Sequence, residues 1–586
     1  MRRASSTTAR AVASLIAVTA LVATACMGDP VQTPQDTPSL DAPKDISAPK
    51  LAKQICKRLD PEVLQRTYNG THPTRSGDLQ LIPTYPNYSR GLTHATPYDY
   101  TQHVPLLIYG ARYVQPGTYP EHVGLVDVAP TTASLLKFNG FQSPDGVPLE
   151  QGLLPAADRP IPKLVVTLIW DSAGQDLLKR WPRSWPYLRS IRDQGAWFPN
   201  TYLDASPSNT PPSHATIGTG AYPRRHGMVD EYIRIHGELV KPNDKGPTHM
   251  NGPTIADAYD KALDNEPVVG GIGTLSAQLM MMSHGSQWPG GDQDIAVAKE
   301  PGKADTGGDE SAPIWQLNDK MGPFYHFPEY VNDSSITDVF HDALPDADRL
   351  DGSLDGTWRG VDTSNVRSGF DTPARIPWQT ALIEQVIDKE GFGADDVPDL
   401  LFLNYKALDT MGHYYSADGI ELSDTLKVQD QALDQLVRFL DEKVGKDEWV
   451  MILTADHGMQ RDPSRSGAFV IDVAAVQSRI EEAFGNGPGG NVIEKLRPTE
   501  AWFDLDALEE NGFTLEQVSR FVMTLTQDQT KGVSPDVEPT TEAADDTVFD
   551  AAFPSALMDQ MPCLPHPYAV SGDNDNSSQN ASPAGA

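Results

Sequence analysis

A chain of 586 residues, 39% of them hydrophobic, is long enough for a large core and more than one module. Its 46 basic and 80 acidic residues leave a net charge of -34. That argues against a nucleic-acid backbone or an anionic membrane surface as the main partner, because both require basic patches; an anionic small molecule stays open, since bound cations would dominate the local field.

The first residues read as an export signal, residues 1–26. Arg2, Arg3 and Arg10 form a basic start, and residues 11–22 an apolar run too short to span a bilayer comfortably. Ala23-Thr24-Ala25-Cys26 ends it like a bacterial lipobox, so Cys26 is a candidate for lipidation, with simple cleavage and secretion as the alternative. Residues 27–50, rich in Pro, Asp and Thr, read as a flexible tether, and residues 571–586 as a disordered tail.

Five short apolar runs between these ends read as buried parallel strands: 104–109, 164–170, 268–272, 400–404 and 449–453. Helical patterns lie between them. In 424–444, Leu426, Leu433, Leu436, Val437, Leu440 and Val444 lie mainly on one face, and Gly445 follows as a stop. Strands alternating with helices imply an α/β sandwich with a mostly parallel central sheet. In such sheets ligand residues collect past the carboxyl ends of strands, where Asp171, Asp409 and Asp456 fall. Residues 285–375, dense in Gly, Pro and Asp with Trp288, Trp315 and Trp358 among them, are too long for a plain loop and read as an inserted cap. The expected division is 51–158, then a catalytic core over 159–464 carrying the cap, then a small lobe and return to the core over 465–570.

Four motifs carry chemistry. Asn209-Thr210-Pro211-Pro212-Ser213-His214-Ala215-Thr216, followed by Thr219-Gly220-Ala221-Tyr222-Pro223-Arg224-Arg225-His226-Gly227, resembles the nucleophile block of type I phosphodiesterases and nucleotide pyrophosphatases of the alkaline phosphatase superfamily. Ile169-Trp170-Asp171 resembles the first metal-binding aspartate, and Asp409-Thr410-Met411-Gly412-His413 and Thr454-Ala455-Asp456-His457-Gly458 the later ligands. Singly, each is unspecific: Asp-His-Gly often sits in a turn, and Thr-Pro-Pro is usually a loop. Together and in family order they imply one metal held by Asp171, Thr210, Asp456 and His457, and a second held by Asp409, His413 and His94. Imidazole and carboxylate ligands suit zinc. The resemblance implies Thr210 as nucleophile and a phosphothreonine intermediate, with a small-molecule phosphate ester as substrate.

His94 comes before every other motif, in Leu92-Thr93-His94-Ala95-Thr96-Pro97, whereas the family places its last histidine at the end of the domain. His566 is the sole histidine after His457, and its Pro565-His566-Pro567 context does not match. The resemblance therefore implies a circular permutation. A permuted domain has its ends close in space, and export favours disulfides, so Cys56 and Cys563 are candidates for a bridge, with two buried thiols as the alternative.

Three departures bear on the substrate. Many family members carry, 21 positions after the nucleophile, an asparagine that binds a phosphoryl oxygen; here that position is Glu231, which would repel an anion if ionised. Pro211 has no N–H to donate. The stretch 276–285, where related monoesterases carry lysine and arginine, has neither, which favours a diesterase, although Arg359 or Lys303 of the cap could substitute. The expectation is an exported two-metal phosphodiesterase or nucleotide pyrophosphatase, bound to the outer face of the cytoplasmic membrane or secreted. The alternatives are a phosphomonoesterase of the same superfamily and a non-catalytic metal-binding envelope lipoprotein. A sulfatase is disfavoured because no cysteine stands at the nucleophile position.

Overall fold

Leu164–Trp170 (β3) is buried at every position, as are Asp399–Tyr405 (β8) and Trp449–Thr454 (β9). Strands this apolar must be covered on both faces, and all three lie side by side in the middle of one ten-stranded sheet. The computed structural model describes residues 48–91, 94–242, 247–274, 280–283, 290–299, 315, 321–532 and 543–564. The expected signal with Cys26, the tether up to residue 47, Trp288, Lys303, His566 and the tail 571–586 lie outside the described residues.

The remaining long strands are Leu79–Pro83 (β1), His103–Tyr109 (β2), Ala196–Tyr202 (β4), Val269–Thr274 (β5), Asp294–Lys299 (β6) and Tyr325–His326 (β7). The main sheet runs β7-β6-β5-β8-β3-β9-β2-β4 and continues into Gly117–Thr118 at its edge. From β7 to β9 every pairing is parallel.

Two expectations need correction. The run 104–109 is not parallel to its neighbours: β2 pairs antiparallel with both β9 and β4. A strand buried on both faces reads the same in either direction, so the sequence pattern could not set its sense. The antiparallel direction has a consequence for the site. The start of β2 lies at the carboxyl end of the parallel strands, so residues 94–102 run directly over that end. The segment 285–375 is not simply a cap, because β6 and β7 extend the main sheet, and Ala296, Val297 and Ala298 are fully buried in it. Trp315 and Trp358 are core residues too, and Trp315 stacks on Trp378 with ring centres 4.4 Å apart.

A second, four-stranded antiparallel sheet is ordered β10-β11-β1-β12, with β10 Ile493–Leu496, β11 Glu500–Phe503 and β12 Phe549–Pro554. It joins the early segment 79–83 to the late segments, and its core includes Leu79, Leu81, Phe503 and Ala552. Helix Ala48–Arg58 (α1) packs Leu51 and Ile55 against Met558, Met561 and Leu564. Here Cys56 and Cys563 are joined by a disulfide with Cα atoms 5.8 Å apart.

Candidate active site

Three of the parallel strands, β3, β8 and β9, deliver polar residues as they end. Asp171 follows β3 directly. Lys406 follows β8, and helix Ala407–Tyr415 (α4) then carries Asp409 and His413, four residues apart on one face. Asp456 and His457 follow β9. Helix Thr210–Thr219 (α2) begins on Thr210, with Pro211 at a place where a missing N–H costs no helical bond. Its last turn closes at Gly220, whose φ of 63° suits glycine. Neither Pro211 nor Pro212 has an N–H to offer, and the next one after Thr210, that of Ser213, already donates to the Asn209 carbonyl.

His94 reaches this cluster from the other side. Its Nε2 is 3.7 Å from Asp409 Oδ1, and its ring stacks on His457 with centres 3.9 Å apart. The Gly458 N–H donates to the Thr101 carbonyl at 2.7 Å, and a Cβ on Gly458 would collide with the Tyr100 carbonyl oxygen, so only glycine allows this close approach. The His94 Nδ1–H donates to the Ser208 carbonyl at 2.9 Å, and the His457 Nδ1–H donates to the Gly458 carbonyl at 2.9 Å. A carbonyl oxygen can only accept, so both rings carry a proton on Nδ1, which leaves Nε2 as the nitrogen that can bind a metal.

The carboxylates are only partly satisfied. Asp171 Oδ2 accepts from Asn404 Nδ2 and Lys406 Nζ, both at 2.9 Å, and Asp456 Oδ1 accepts from the Ser172 and His457 N–H groups. Asp171 Oδ1, Asp456 Oδ2 and His457 Nε2 have no hydrogen-bond partner among the described residues, though all are buried. His457 Nε2 is 3.7 Å from the first of these oxygens and 3.4 Å from the second. An orphaned imidazole nitrogen this close to two orphaned carboxylate oxygens is what a bound cation satisfies. Three sets of side chains here have ligand atoms within 4.8 Å of one another: His94, Asp409 and His413; Asp171, His214 and Asp456; and Asp171, Asp409 and His457.

The electrostatics point the same way. Burial, and then Asp456, push the Asp171 carboxyl up to about 7. Burial also works against the Asp409 anion, but Lys406 and His413 hold it well below its ordinary range. Burial, and then His457, keep His94 well below the ordinary histidine value, so it is neutral at pH 7. Burial works against the Lys406 cation, yet Asp171, Asp409 and Asp456 hold it well above its ordinary value. One ammonium among three ionised carboxylates leaves net negative charge, which a single divalent cation balances and a second turns positive.

The structure brings together Asp171, Thr210, Asp409, His413, Asp456, His457 and His94. It also adds residues that the sequence pattern did not single out. Lys406 Nζ donates to Thr210 Oγ1 at 3.0 Å and lies 2.9 Å from Asp409 Oδ2. His214, one turn along α2, lies 3.8 Å from Asp456 Oδ2. Ser172, held at a φ of 64°, donates its hydroxyl to Asp409 Oδ1 at 2.8 Å. Glu231 is not a bare charge on the site: Arg497 Nη2 holds its carboxylate at 3.0 Å and bonds Asp230 as well, while the Asn209 amide donates to Asp230. A lysine after a buried strand is the one visible signal for Lys406; Arg497 sits on a remote stretch with none.

The Type I phosphodiesterase / nucleotide pyrophosphatase family matches residues 165–546, a range that begins after His94. Alkaline phosphatase PafA of Elizabethkingia meningoseptica is 25% identical over 443 residues, covering 65% of this chain and 76% of that protein. Alkaline phosphatase PhoD of Zymomonas mobilis is 24% identical over 324 residues, covering 52% of this chain and 54% of its own length. The crystal structure of wild-type alkaline phosphatase PafA aligns with a TM-score of 0.48 and 20% identity, over 67% of this chain and 84% of that one.

Proposed function

The chain belongs to the Type I phosphodiesterase / nucleotide pyrophosphatase family and is a phosphoric ester hydrolase, and from that premise we propose a threonine-based, two-metal mechanism acting on a small phosphate ester. Asp171, Thr210, Asp456 and His457 would hold one divalent cation, and Asp409, His413 and His94 the other; the mixed nitrogen and oxygen donors suit zinc. Such ions supply charge stabilisation at the oxygens of an in-line displacement. Thr210 Oγ1 attacks phosphorus, the ester oxygen leaves, and phosphothreonine forms at Thr210. Water then cleaves the phosphorus–Oγ1 bond and releases phosphate. Lys406, which already donates to Thr210 Oγ1, favours the deprotonated hydroxyl and adds positive charge beside the attacked phosphorus.

That ammonium favours a phosphomonoester over the diester expected from the sequence. A monoester dianion needs more positive charge than a diester monoanion, and Lys406 supplies charge that the stretch 276–285 lacks. The pairing of Glu231 with Arg497 weakens the objection that its carboxylate would repel an anion.

The reading rests on one observation above others: the orphaned His457 Nε2 lies 3.7 Å from the orphaned Asp171 Oδ1 and 3.4 Å from the orphaned Asp456 Oδ2, and Lys406 joins Asp171 to Thr210. We also propose that the chain is circularly permuted, with 51–158 as the displaced terminal part of the catalytic domain. Support comes from His94 lying on the second candidate ligand set and from a family match that begins downstream of it. The basic and apolar start of the chain supports export, with Cys26 as a lipid anchor. Among the described residues no helix is long and apolar enough to cross a membrane.

The test is acid-quenched mass spectrometry of zinc-loaded protein during turnover of a nitrophenyl phosphomonoester. A phosphorylated peptide carrying Thr210, absent in Thr210→Ala together with turnover, is the expected result. Turnover that survives in Thr210→Ala would overturn the mechanism.

A further inference from the structure

Arg375 is 1% exposed, and none of its three guanidinium nitrogens has a hydrogen-bond partner among the described residues. It is the first residue of Arg375–Glu390 (α3), the helix that leads into β8. One turn further on, the Gln379 side-chain amide donates to the Asn404 carbonyl at 2.7 Å, and the hydroxyls of Thr380 and Tyr405 lie 2.9 Å apart. These bonds fix the first turn of α3 beside the carboxyl end of β8, so Arg375 stands at the site end of the sheet. The charged groups that act on it are Asp371, Asp409 and Asp171, two of them candidate metal ligands, together with the Tyr414 hydroxyl. The Phe370 ring centre lies 4.9 Å from its guanidinium carbon.

A buried arginine without an acceptor is costly, and a cation–π contact offsets only part of that cost. A fold keeps such a group when something else completes it. The planar guanidinium matches two oxygens of a phosphoryl group, and these would form bidentate, charge-assisted bonds. We propose that Arg375 binds the phosphoryl oxygens of a phosphate monoester dianion in this site, supplying from α3 the basic residue that the stretch 276–285 lacks. This rests on the phosphate-ester reading of the site and extends it to the ester class. A purely structural role, long-range balancing of Asp171 and Asp409, is the competing explanation.

The two roles separate in one set of measurements on the zinc-loaded full chain and its Arg375→Met and Arg375→Lys variants. Inorganic phosphate is titrated by calorimetry, kcat/KM is taken on a nitrophenyl phosphomonoester and a bis-nitrophenyl phosphodiester, and bound zinc and Tm are recorded. We expect phosphate affinity in Arg375→Met to fall by about tenfold or more. Monoester kcat/KM should fall by about a hundredfold, diester kcat/KM by much less, with zinc content unchanged and Tm unchanged or higher. Arg375→Lys should recover part of the phosphate affinity. Phosphate affinity within twofold of wild type, or equal losses on both esters with a lowered Tm, would overturn the proposal. If the variants do not fold, a crystal structure of the wild-type enzyme with phosphate decides: oxygens within hydrogen-bond distance of the Arg375 nitrogens support it, and phosphate held elsewhere refutes it. Wild-type protein that turns over neither ester would count against the hydrolase mechanism, while the phosphate titration would still decide the role of Arg375.

Discussion

The imidazoles of His94 and His457 lie face to face, ring centres 3.9 Å apart and planes within 11° of parallel, although they come from far-separated parts of the chain. If His94 completes the second metal set, its removal should be specific. His94→Ala should bind one zinc ion per chain where the wild type binds two, with kcat/KM reduced by at least about a hundredfold. His566→Ala should keep both ions and full activity. Elemental analysis of dialysed protein checks both, and loss of zinc in His566→Ala would remove the case for permutation.

Lys406 bridges Asp171, Asp409 and Thr210 from a nearly buried position. Removing it strips the attacking hydroxyl of its donor and leaves two buried carboxylates facing each other. Lys406→Met should lose about 10²–10³ in kcat/KM. The metal-free form should also lose about 3 kcal/mol of stability, while the zinc-loaded form loses less because cations then balance the carboxylates. Denaturant unfolding with and without chelator measures the difference, and equal losses in both forms would mean that the lysine and the metals do not share these ligands.

The site was legible where it sits on the plainest elements. Asp171, Asp409 and Asp456 each follow a fully buried strand, and that pattern places them at one end of a parallel sheet whatever the rest of the chain does. The direction of β2 was not legible, because a strand covered on both faces carries no alternation to orient it. β6 was hidden for another reason: its six residues stand among Gly, Pro and Asp that dominate any window across them. Lys406 and Arg375 escaped notice because a lone basic residue reads as solvated, and only the folded structure shows one caged by carboxylates and the other buried without an acceptor.

The Cys56–Cys563 bridge closes nearly the whole described chain into a loop, with 507 positions between its ends. Chain-entropy reasoning assigns such a loop an upper bound of about 6 kcal/mol, through restriction of the unfolded state. Neither cysteine is a candidate metal ligand, and the bridge ties α1 to the stretch after β12 through a small core of Leu51, Ile55, Met558 and Met561 that also takes in Tyr98. Cys56→Ser should therefore lower Tm by several degrees while leaving kcat/KM at 25 °C unchanged. Calorimetry and a steady-state assay on the same preparation check this, and a fall in zinc content or kcat/KM would show that the terminal clasp also shapes the site.

Zinc should alter the pH dependence of stability through Asp171. Burial and the neighbouring Asp456 push this carboxyl from 3.8 up to about 7 in the metal-free fold. An acid with a raised native pKa favours the native state in its protonated form, so its contribution is complete below about pH 4 and is lost as pH rises through about 7. Metal-free protein should then be penalised near pH 8 by an amount on the order of a few kcal/mol. A bound cation reverses this term, because it binds the ionised carboxylate and releases the proton. The gap in Tm between zinc-loaded and chelator-treated protein should widen from pH 5 to pH 8, and most of that widening should vanish in Asp171→Asn. Thermal unfolding across this range measures the gap; a constant gap would mean that Asp171 titrates at its ordinary value and is not a ligand.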